Sequence, residues 1–529
     1  MSKTSTITLE EAARTNFDVI VVGSGAGGSA AAAALSTANL KVLIIEEGSA
    51  NSEISSRDRF TLQGISRRYK NSGQSIALGS PMIAYVQGTG MGGSTEINSG
   101  LYHPIYPETI QRWNSEQDLT LNIQEIQTLN REIEKILNIK TPIQKSRPSK
   151  MLIHAAKTLN IKYLDVPRWV SRDIFGNLKR NTMSNTFLPI AFNNGAKIVL
   201  SAKVEKINHR DGKVVSLLVT DKLSKEKIEL KTEQVFLAAG AVSSPSIIKK
   251  SKMGVRVSKN LSLHVMLKVA ALYDKEVNME DDLGSVQILH QAPEVTYGFA
   301  SSAPAVLGAA FSRTKIKLPE MIKRYPSTLL YYASISTATK GSILPNEILY
   351  YNLTKKDKDK LQQAGNELLE IIRKTNPIDI LIISKGATPV KSLTQSFNSV
   401  KVKDLDLSAV HIMSSLPISN LSKSPLDEYG NLKKVKGVTI VDASALPSSP
   451  GYNPQGSVLA ISLRNTRAYL RSKNINHPEN LLGYANKTGN TSEKIKKIIN
   501  KTKVKKVTKS NSPKSINNQA KEKNGANND

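Results

Sequence analysis

The sequence predicts an α/β protein in which a Rossmann-like domain is joined to an α+β domain built on an antiparallel sheet. Three observations predict it. Phe17–Ile45 runs strand, glycine turn, helix, strand in about 30 residues, the length of a βαβ unit. Short continuous apolar runs, the mark of parallel strands buried on both faces, return at Gln234–Ala238 and after Gly437. From Met266 to Tyr351 the pattern changes to strands separated by turns, which suits an antiparallel sheet.

The elements follow in chain order. Phe17–Val22 (FDVIVV) and Lys41–Ile45 (KVLII) are apolar and rich in β-branched residues, hence strands. Between them Gly23–Gly28 forms a turn, and the alanine-rich Ser29–Leu40 forms a helix. Ile123–Leu137 and Ser149–Leu159 carry apolar residues at helical spacing. Lys197–Asn208 and Lys213–Thr220 read as a hairpin around Asp211-Gly212. LLYYASIS and NEILYYNL are strands of the second domain, Lys355–Lys374 is a helix, and Gly437–Leu470 returns to strand, loop and helix. After Tyr484 the chain is rich in Lys, Asn, Ser and Thr and is expected to be a disordered basic tail.

Composition excludes several chemistries. There is no cysteine, so disulfides, iron–sulfur clusters, thiolate zinc sites and cysteine nucleophiles are all ruled out, and no metal site is expected. No apolar run is long enough to span a bilayer, and the N-terminus lacks a secretory pattern, so the expected location is the cytoplasm. The net charge is +29, of which +9 falls on Lys487–Asp529 with its twelve Lys. No Lys/Arg cluster in the body is interleaved with aromatics as single-strand binding requires, so no specific nucleic acid is expected. Thr491–Val507, with Ile495, Ile498 and Ile499 on one side, admits a weak peripheral contact with an anionic membrane, against the plainer reading of a solvated tail.

The opening turn reads G-S-G-A-G-G, with Gly23, Gly25 and Gly28 in the G-x-G-x-x-G positions. Gly23 permits the tight turn, Gly25 lets a pyrophosphate approach the backbone, and Gly28 lets the helix pack closely on the strand. A hexapeptide alone is weak evidence. Here a strand precedes it, a helix follows, and the second strand ends in Glu46, where a carboxylate can accept ribose hydroxyl protons. That acid argues for a dinucleotide without a 2′-phosphate. A second glycine-rich stretch, Gly88–Gly100 (GTGMGGSTEINSG), can fold as a nest of backbone amides against a phosphate or flavin edge, or as a plain surface loop. Glu96 adds a charge to this loop and is read as facing outward.

Four separated segments resemble, in order, those of the glucose–methanol–choline (GMC) oxidoreductase family. They are DVIVVGSGAGGSAAAAAL…KVLIIEEG, GTGMGGSTEINSG, FLAAGAVSSPSII (Phe236–Ile248) and VTIVDASALPSSPGYNPQGSVLAISLRNT (Val438–Thr466). RNTMSNTFLP (Arg180–Pro189) and KNLSLHVM (Lys259–Met266) also resemble family segments. The likeness runs from about Asn16 to Leu470 and is weakest in the presumed substrate domain. It implies an FAD-binding domain at 16–115, 180–263 and 405–472, and a substrate domain with connecting helices at 116–179 and 264–404.

The resemblance also implies site residues. Gly23, Gly25, Gly28 and Glu46 match the family's ADP-binding residues. Gly88, Gly92, Gly93, Ser94 and Asn98 match the loop along the pyrophosphate and flavin. Val204 matches a residue whose backbone holds the adenine, Asp442 and Ala443 the segment beneath the ribityl chain, and Asn453-Pro454 the pyrimidine end of the ring. His411 and Asn453 match the catalytic pair: a neutral imidazole can take a hydroxyl proton, and an amide can orient the substrate oxygen. Ser414, Ser415 and Pro417 depart from the glycines and arginine usual after that histidine. Ile97 stands where some relatives carry a histidine bonded to the cofactor, so noncovalent FAD is expected. The implied activity is hydride removal from a CH–OH group of a small-molecule alcohol, with oxygen or a quinone as electron acceptor. Lyase chemistry with structural FAD, and a flavoprotein with a membrane- or nucleic-acid-binding tail, are the alternatives.

Overall fold

A parallel sheet is assembled from five strands that are far apart in the chain. In the computed structural model, which describes residues 5–484 except 51–60, 144, 173–177, 256, 258, 279–283, 301, 313, 317 and 388–393, its order is Val438–Ile440, Val235–Leu237, Val19–Val22, Val42–Ile45, Lys197–Val199. Each neighbouring pair is parallel. The first two strands in the chain are buried at every position, which is why they contain no polar residue.

The helix of the βαβ unit is Ala26–Thr37, and it is buried from Gly27 onward. Its small side chains permit close contact with the helices Phe187–Asn193 and Gln455–Ser472. Gly27 and Gly28 are poor helix formers, but the packing leaves them no room for a side chain. A methyl group at Gly27 would lie 1.6 Å from the carbonyl oxygen of Val441, and one at Gly28 would lie 2.0 Å from that of Gly23.

The predicted hairpin differs in one respect. Lys197–Asn208 is two strands, because Ser201 turns the backbone to φ +54 between Lys197–Val199 and Ala202–Arg210. The first joins the parallel sheet, while the second pairs antiparallel with Lys213–Asp221. Ile123–Ile136, Arg147–Thr158 and Lys355–Arg373 form the predicted helices to within two residues. The segment NEILYYNL contributes only the short strand Leu349–Tyr350, since Pro345–Glu347 closes into a single turn.

Eleven strands of the described residues form the second sheet, which is mostly antiparallel. At its centre Ser262–Leu272 lies between Leu407–Met413 and Thr328–Ser336. Two of its pairings are parallel, Leu407–Met413 with Ile83–Tyr85 and Leu349–Tyr350 with Ser75–Leu78. Helix Lys355–Arg373, started by a reciprocal cap between Thr354 and Asp357, buries Leu361, Ala364, Leu368 and Ile372 against this sheet. Met1–Leu482 forms one compact unit. The expected disordered tail after Tyr484, with the amphipathic segment Thr491–Val507, lies outside the described residues.

Candidate active site

A cavity of about 470 Å³ opens where the carboxyl ends of the parallel strands meet the second sheet. It is the place where open α/β sheets bind ligands, outside the strand ends. All the candidate residues line it except Gly28 and Gly92. Those two act from behind: Gly28 seats the helix on the turn, and Gly92 (φ +89) donates its N–H to Ser24 Oγ at 3.1 Å.

Three helices begin at this cavity, Ala26–Thr37, Gly240–Lys250 and Gln455–Ser472. Their caps are Gly25, Ala239 and Pro454, and none supplies a side-chain hydrogen bond to its helix. The N-termini of Ala26–Thr37 and Gln455–Ser472 present amide donors and partial positive charge to an anionic ligand, whereas the first N–H of Gly240–Lys250 is taken by the Asp442 carboxylate. At Gly25 a methyl group would meet nothing within 4 Å, so the protein leaves the space above this glycine free.

Glu46 is buried at the end of its strand, and its carboxylate accepts four bonds. Ser24 N (3.0 Å) and Ser24 Oγ (2.7 Å) reach one oxygen; Gly48 N (2.9 Å) and Gly90 N (3.2 Å) reach the other. Burial raises its pKa, and these four bonds oppose the rise. Of the four donors only the Ser24 hydroxyl can rotate away to make room for a ribose hydroxyl. Asp442, also buried, accepts from Gly240 N and Ser444 N at 2.8 Å each and from the Ser244 hydroxyl, tying the second helix to the loop beneath the cavity. Val204 pairs with Val219 in the small sheet and brings its backbone to the cavity wall.

Glu96 does not face outward. Its carboxylate accepts from Ser184 Oγ at 2.7 Å and its carbonyl from Arg180, so it holds the glycine loop against the segment 180–184. Such a tie offsets the cost of placing a charge inside the fold.

The far wall of the cavity comes from the second sheet. His411 and His264 stand opposite each other on neighbouring antiparallel strands. The register slips next to this pair, leaving Val410 as an extra residue. Such a bulge re-aims the side chains beside it, and here both Val410 and His411 line the cavity. Asn453, just before the helix Gln455–Ser472, brings its Nδ2 to 3.3 Å from His411 Nε2. Burial, then the neighbouring His264 and His103, hold the pKa of His411 well below the ordinary histidine value. The imidazole is therefore neutral and able to accept a proton.

Behind this pair lie residues the sequence did not single out. Gln287 Nε2 donates to Asn453 Oδ1 at 3.2 Å and to Tyr332 Oη at 2.8 Å, while its Oε1 lies 2.8 Å from His103 Nε2. His264 Nδ1 lies 2.9 Å from His411 Nδ1. Burial lowers the pKa of both His103 and His264 to about 4. His264 lay within the quoted segment KNLSLHVM, but nothing in the sequence pairs it with a residue 147 positions away.

Hydrogen bonds tie the residues after His411 to neighbouring segments. Ser414 adopts φ +60 itself, and Ser414 N and Leu416 N bond to the carbonyls of Ala443 and Ser444 at 2.9 Å each. Ser415 Oγ donates to Ala241 O at 2.6 Å.

The cavity suits a dinucleotide with a hydrogen-bonding ring. Gln455 Nε2 and Trp169 Nε1 are buried donors on lining residues with no partner among the described residues, and ring oxygens of a flavin would supply acceptors. Gly25, Gly93 and Ser94 would flank its pyrophosphate, and Glu46 its ribose.

The chain matches the family models for the two parts of GMC oxidoreductases, over residues 17–266 and 336–462. It is 27% identical to an uncharacterised GMC-type oxidoreductase of Mycobacterium tuberculosis, over 85% of this chain and 75% of that protein. A long-chain-alcohol oxidase of Arabidopsis thaliana is 23% identical over 86% of this chain and 68% of its own. The crystal structure of pyridoxine 4-oxidase from Mesorbium loti superposes with a TM-score of 0.68 at 17% identity, covering 86% of this chain and 99% of that one. The motifs in order, the two sheets and these matches agree: the chain belongs to the GMC oxidoreductase family.

Proposed function

We propose that the protein binds FAD noncovalently and oxidises the CH–OH group of a small-molecule alcohol, with His411 as the base and Asn453 as the residue that orients the substrate oxygen. The bound flavin would supply the hydride acceptor. His411 Nε2 takes the hydroxyl proton, and the amide of Asn453 holds the oxygen and stabilises its alkoxide character. The observation that carries this reading is the 3.3 Å bond from Asn453 Nδ2 to His411 Nε2 at the cavity wall. A nitrogen that accepts this bond carries no proton, so the base is in its working tautomer. Ile97 before Asn98 supports noncovalent binding, because no side chain there can bond to the ring. The same reading divides the chain into a cofactor domain at 16–115, 180–263 and 405–472 and a substrate domain between. In its support, every strand of the parallel sheet falls inside the cofactor segments.

The test is anaerobic bleaching of the purified yellow protein by benzyl alcohol, pyridoxine and 1-dodecanol. At least one should bleach the flavin, and His411→Ala should slow that step by about 10²–10⁴-fold, the usual contribution of a positioned base. Failure of a broad alcohol panel would favour lyase chemistry, and an unimpaired His411→Ala would remove the assigned base. Repeating turnover with oxygen and with a quinone identifies the acceptor.

A further inference from the structure

A second cavity, of about 690 Å³, includes Arg112, Lys340, Lys360, Ser336 and Ser449 in its lining. It shares no lining residue with the cofactor cavity. We propose that the substrate's hydroxyl proton leaves the active site along His411, His264 and Ser449 into this basic cavity. The proposal rests on His411 being the base, as read above.

Hydrogen-bond direction carries the argument, because one assignment fixes the rest. Gln287 Nε2 reaches two oxygens, Tyr332 Oη and Asn453 Oδ1, so Gln287 Oε1 is the end facing His103 Nε2, which donates. His103 Nδ1 then accepts from Tyr106 Oη at 3.0 Å. Since Asn453 Oδ1 is taken by Gln287, Asn453 Nδ2 faces His411 Nε2 and donates to it. The proton of neutral His411 therefore sits on Nδ1 and points at His264 Nδ1, 2.9 Å away. His264 in turn carries its proton on Nε2, which donates to Ser449 Oγ at 2.5 Å. Ser449 Oγ lies 3.3 Å from Ser336 Oγ, and both serines line the second cavity. Every link from the cofactor cavity to the basic one is thus a bond pointing outward.

The transfers balance link by link. The alcohol O–H bond breaks as a proton joins His411 Nε2. The Nδ1 proton of His411 passes to His264 Nδ1, the Nε2 proton of His264 passes to Ser449 Oγ, and the serine's own proton passes to water in the cavity. A bound flavin would supply the acceptor for the hydride and the electron pair of the C–H bond, so the relay moves protons alone. Reduction of oxygen or a quinone takes a proton up again, and running the chain backward restores both tautomers. The relay also answers a physical problem. Burial and two neighbouring histidines make a lasting imidazolium at His411 unfavourable, whereas three neutral links hold no charge once the proton has left. The cavity lining carries Glu116, paired with Arg112, and Glu294, paired with Lys360, but Lys340, Lys356 and Lys423 leave it a net positive charge, which lowers the local proton concentration at the exit and favours release.

Two measurements on holoenzyme test this. In protein labelled with ¹⁵N-histidine, long-range proton–nitrogen spectra should show His411 protonated at Nδ1 and His264 at Nε2. Finding His411 protonated at Nε2, or His264 at Nδ1, overturns the relay whether or not any alcohol is a substrate. In weakly buffered stopped flow with a pH indicator, the fastest alcohol of the panel should bleach the flavin and release a proton together in the native protein. In Ser449→Ala and His264→Asn the ratio of the proton-release rate to the bleaching rate should fall at least ten-fold, with Ser449→Thr restoring it. A purely structural role would slow both events alike and leave that ratio unchanged, which would overturn the relay while leaving His411 as the base.

Discussion

At the scale of single residues, the site is defined by what each polar atom can accept or donate. The oxygen of Asn453 is taken by Gln287, which turns its amide nitrogen toward His411 Nε2 and leaves that nitrogen without a proton, as the proposed base requires. Ser414 has no comparable support. It holds a left-handed conformation that favours glycine, and its buried hydroxyl has no hydrogen-bond partner among the described residues. An unsatisfied buried hydroxyl costs about 1–3 kcal/mol, and glycine gives back part of the gain through the freedom of the unfolded chain. Ser414→Gly should therefore stabilise the protein by about 1 kcal/mol, read as a higher urea midpoint at unchanged slope. A lower midpoint would show that the hydroxyl has a partner of consequence. The flavin-reduction rate should stay within about two-fold, since Ser414 touches neither His411 Nε2 nor Asn453.

At the scale of elements, the opening βαβ unit separates folding from binding within one hexapeptide. Gly28 is needed by the fold, because any side chain would drive into the carbonyl of Gly23, while Gly25 faces free space at an ordinary negative φ. Gly28→Ala should cost several kcal/mol and deplete soluble protein, by analogy with overpacked cores, where about 1–3 kcal/mol is typical even without a backbone clash. Gly25→Ala should leave the urea midpoint of the apoprotein essentially unchanged and weaken FAD retention at least ten-fold, measured by fluorescence titration. Equal loss of stability in both would show that Gly25 is a folding residue too. Much of this element was legible beforehand, since strand, turn, helix and terminal acid are contiguous and their periods differ. The same local logic found the helix Lys355–Arg373. It failed at Ser201, where a non-glycine residue breaks the strand, and at Glu96, whose partner lies in another segment. The second half of the site was legible only by resemblance at His411 and Asn453. His264, His103 and Gln287 were not legible, because strand register and a bulge bring them together and no sequence spacing encodes either.

At the scale of the whole molecule, two buried histidines, His103 and His264, and the half-buried His411 are held neutral, and this sets how the fold responds to acid. His103 and His264 have folded pKa values of about 4 against an ordinary 6.5, and His411 lies well below 6.5, in each case chiefly because burial disfavours the charged ring. The unfolded chain therefore binds more protons than the folded one once the pH drops under 6.5. Stability must fall with pH through that window, down to the folded values near 4. Between pH 7 and pH 5 the loss is about 2 kcal/mol for each of His103 and His264, at 1.36 kcal/mol per pH unit. Buried Glu46 and Asp442, with raised pKa values, oppose this trend as they approach their own titration range, so the histidine slope is cleanest above pH 5. Urea midpoints of the native protein should accordingly drop between pH 7 and pH 5, and His264→Asn, which removes one titrating ring, should be shallower by about 2 kcal/mol over the same interval. A variant with the native slope would mean that His264 takes up its proton without unfolding. Its folded pKa would then lie near the ordinary value, and the ring would be far less isolated from solvent than its burial on the second sheet implies.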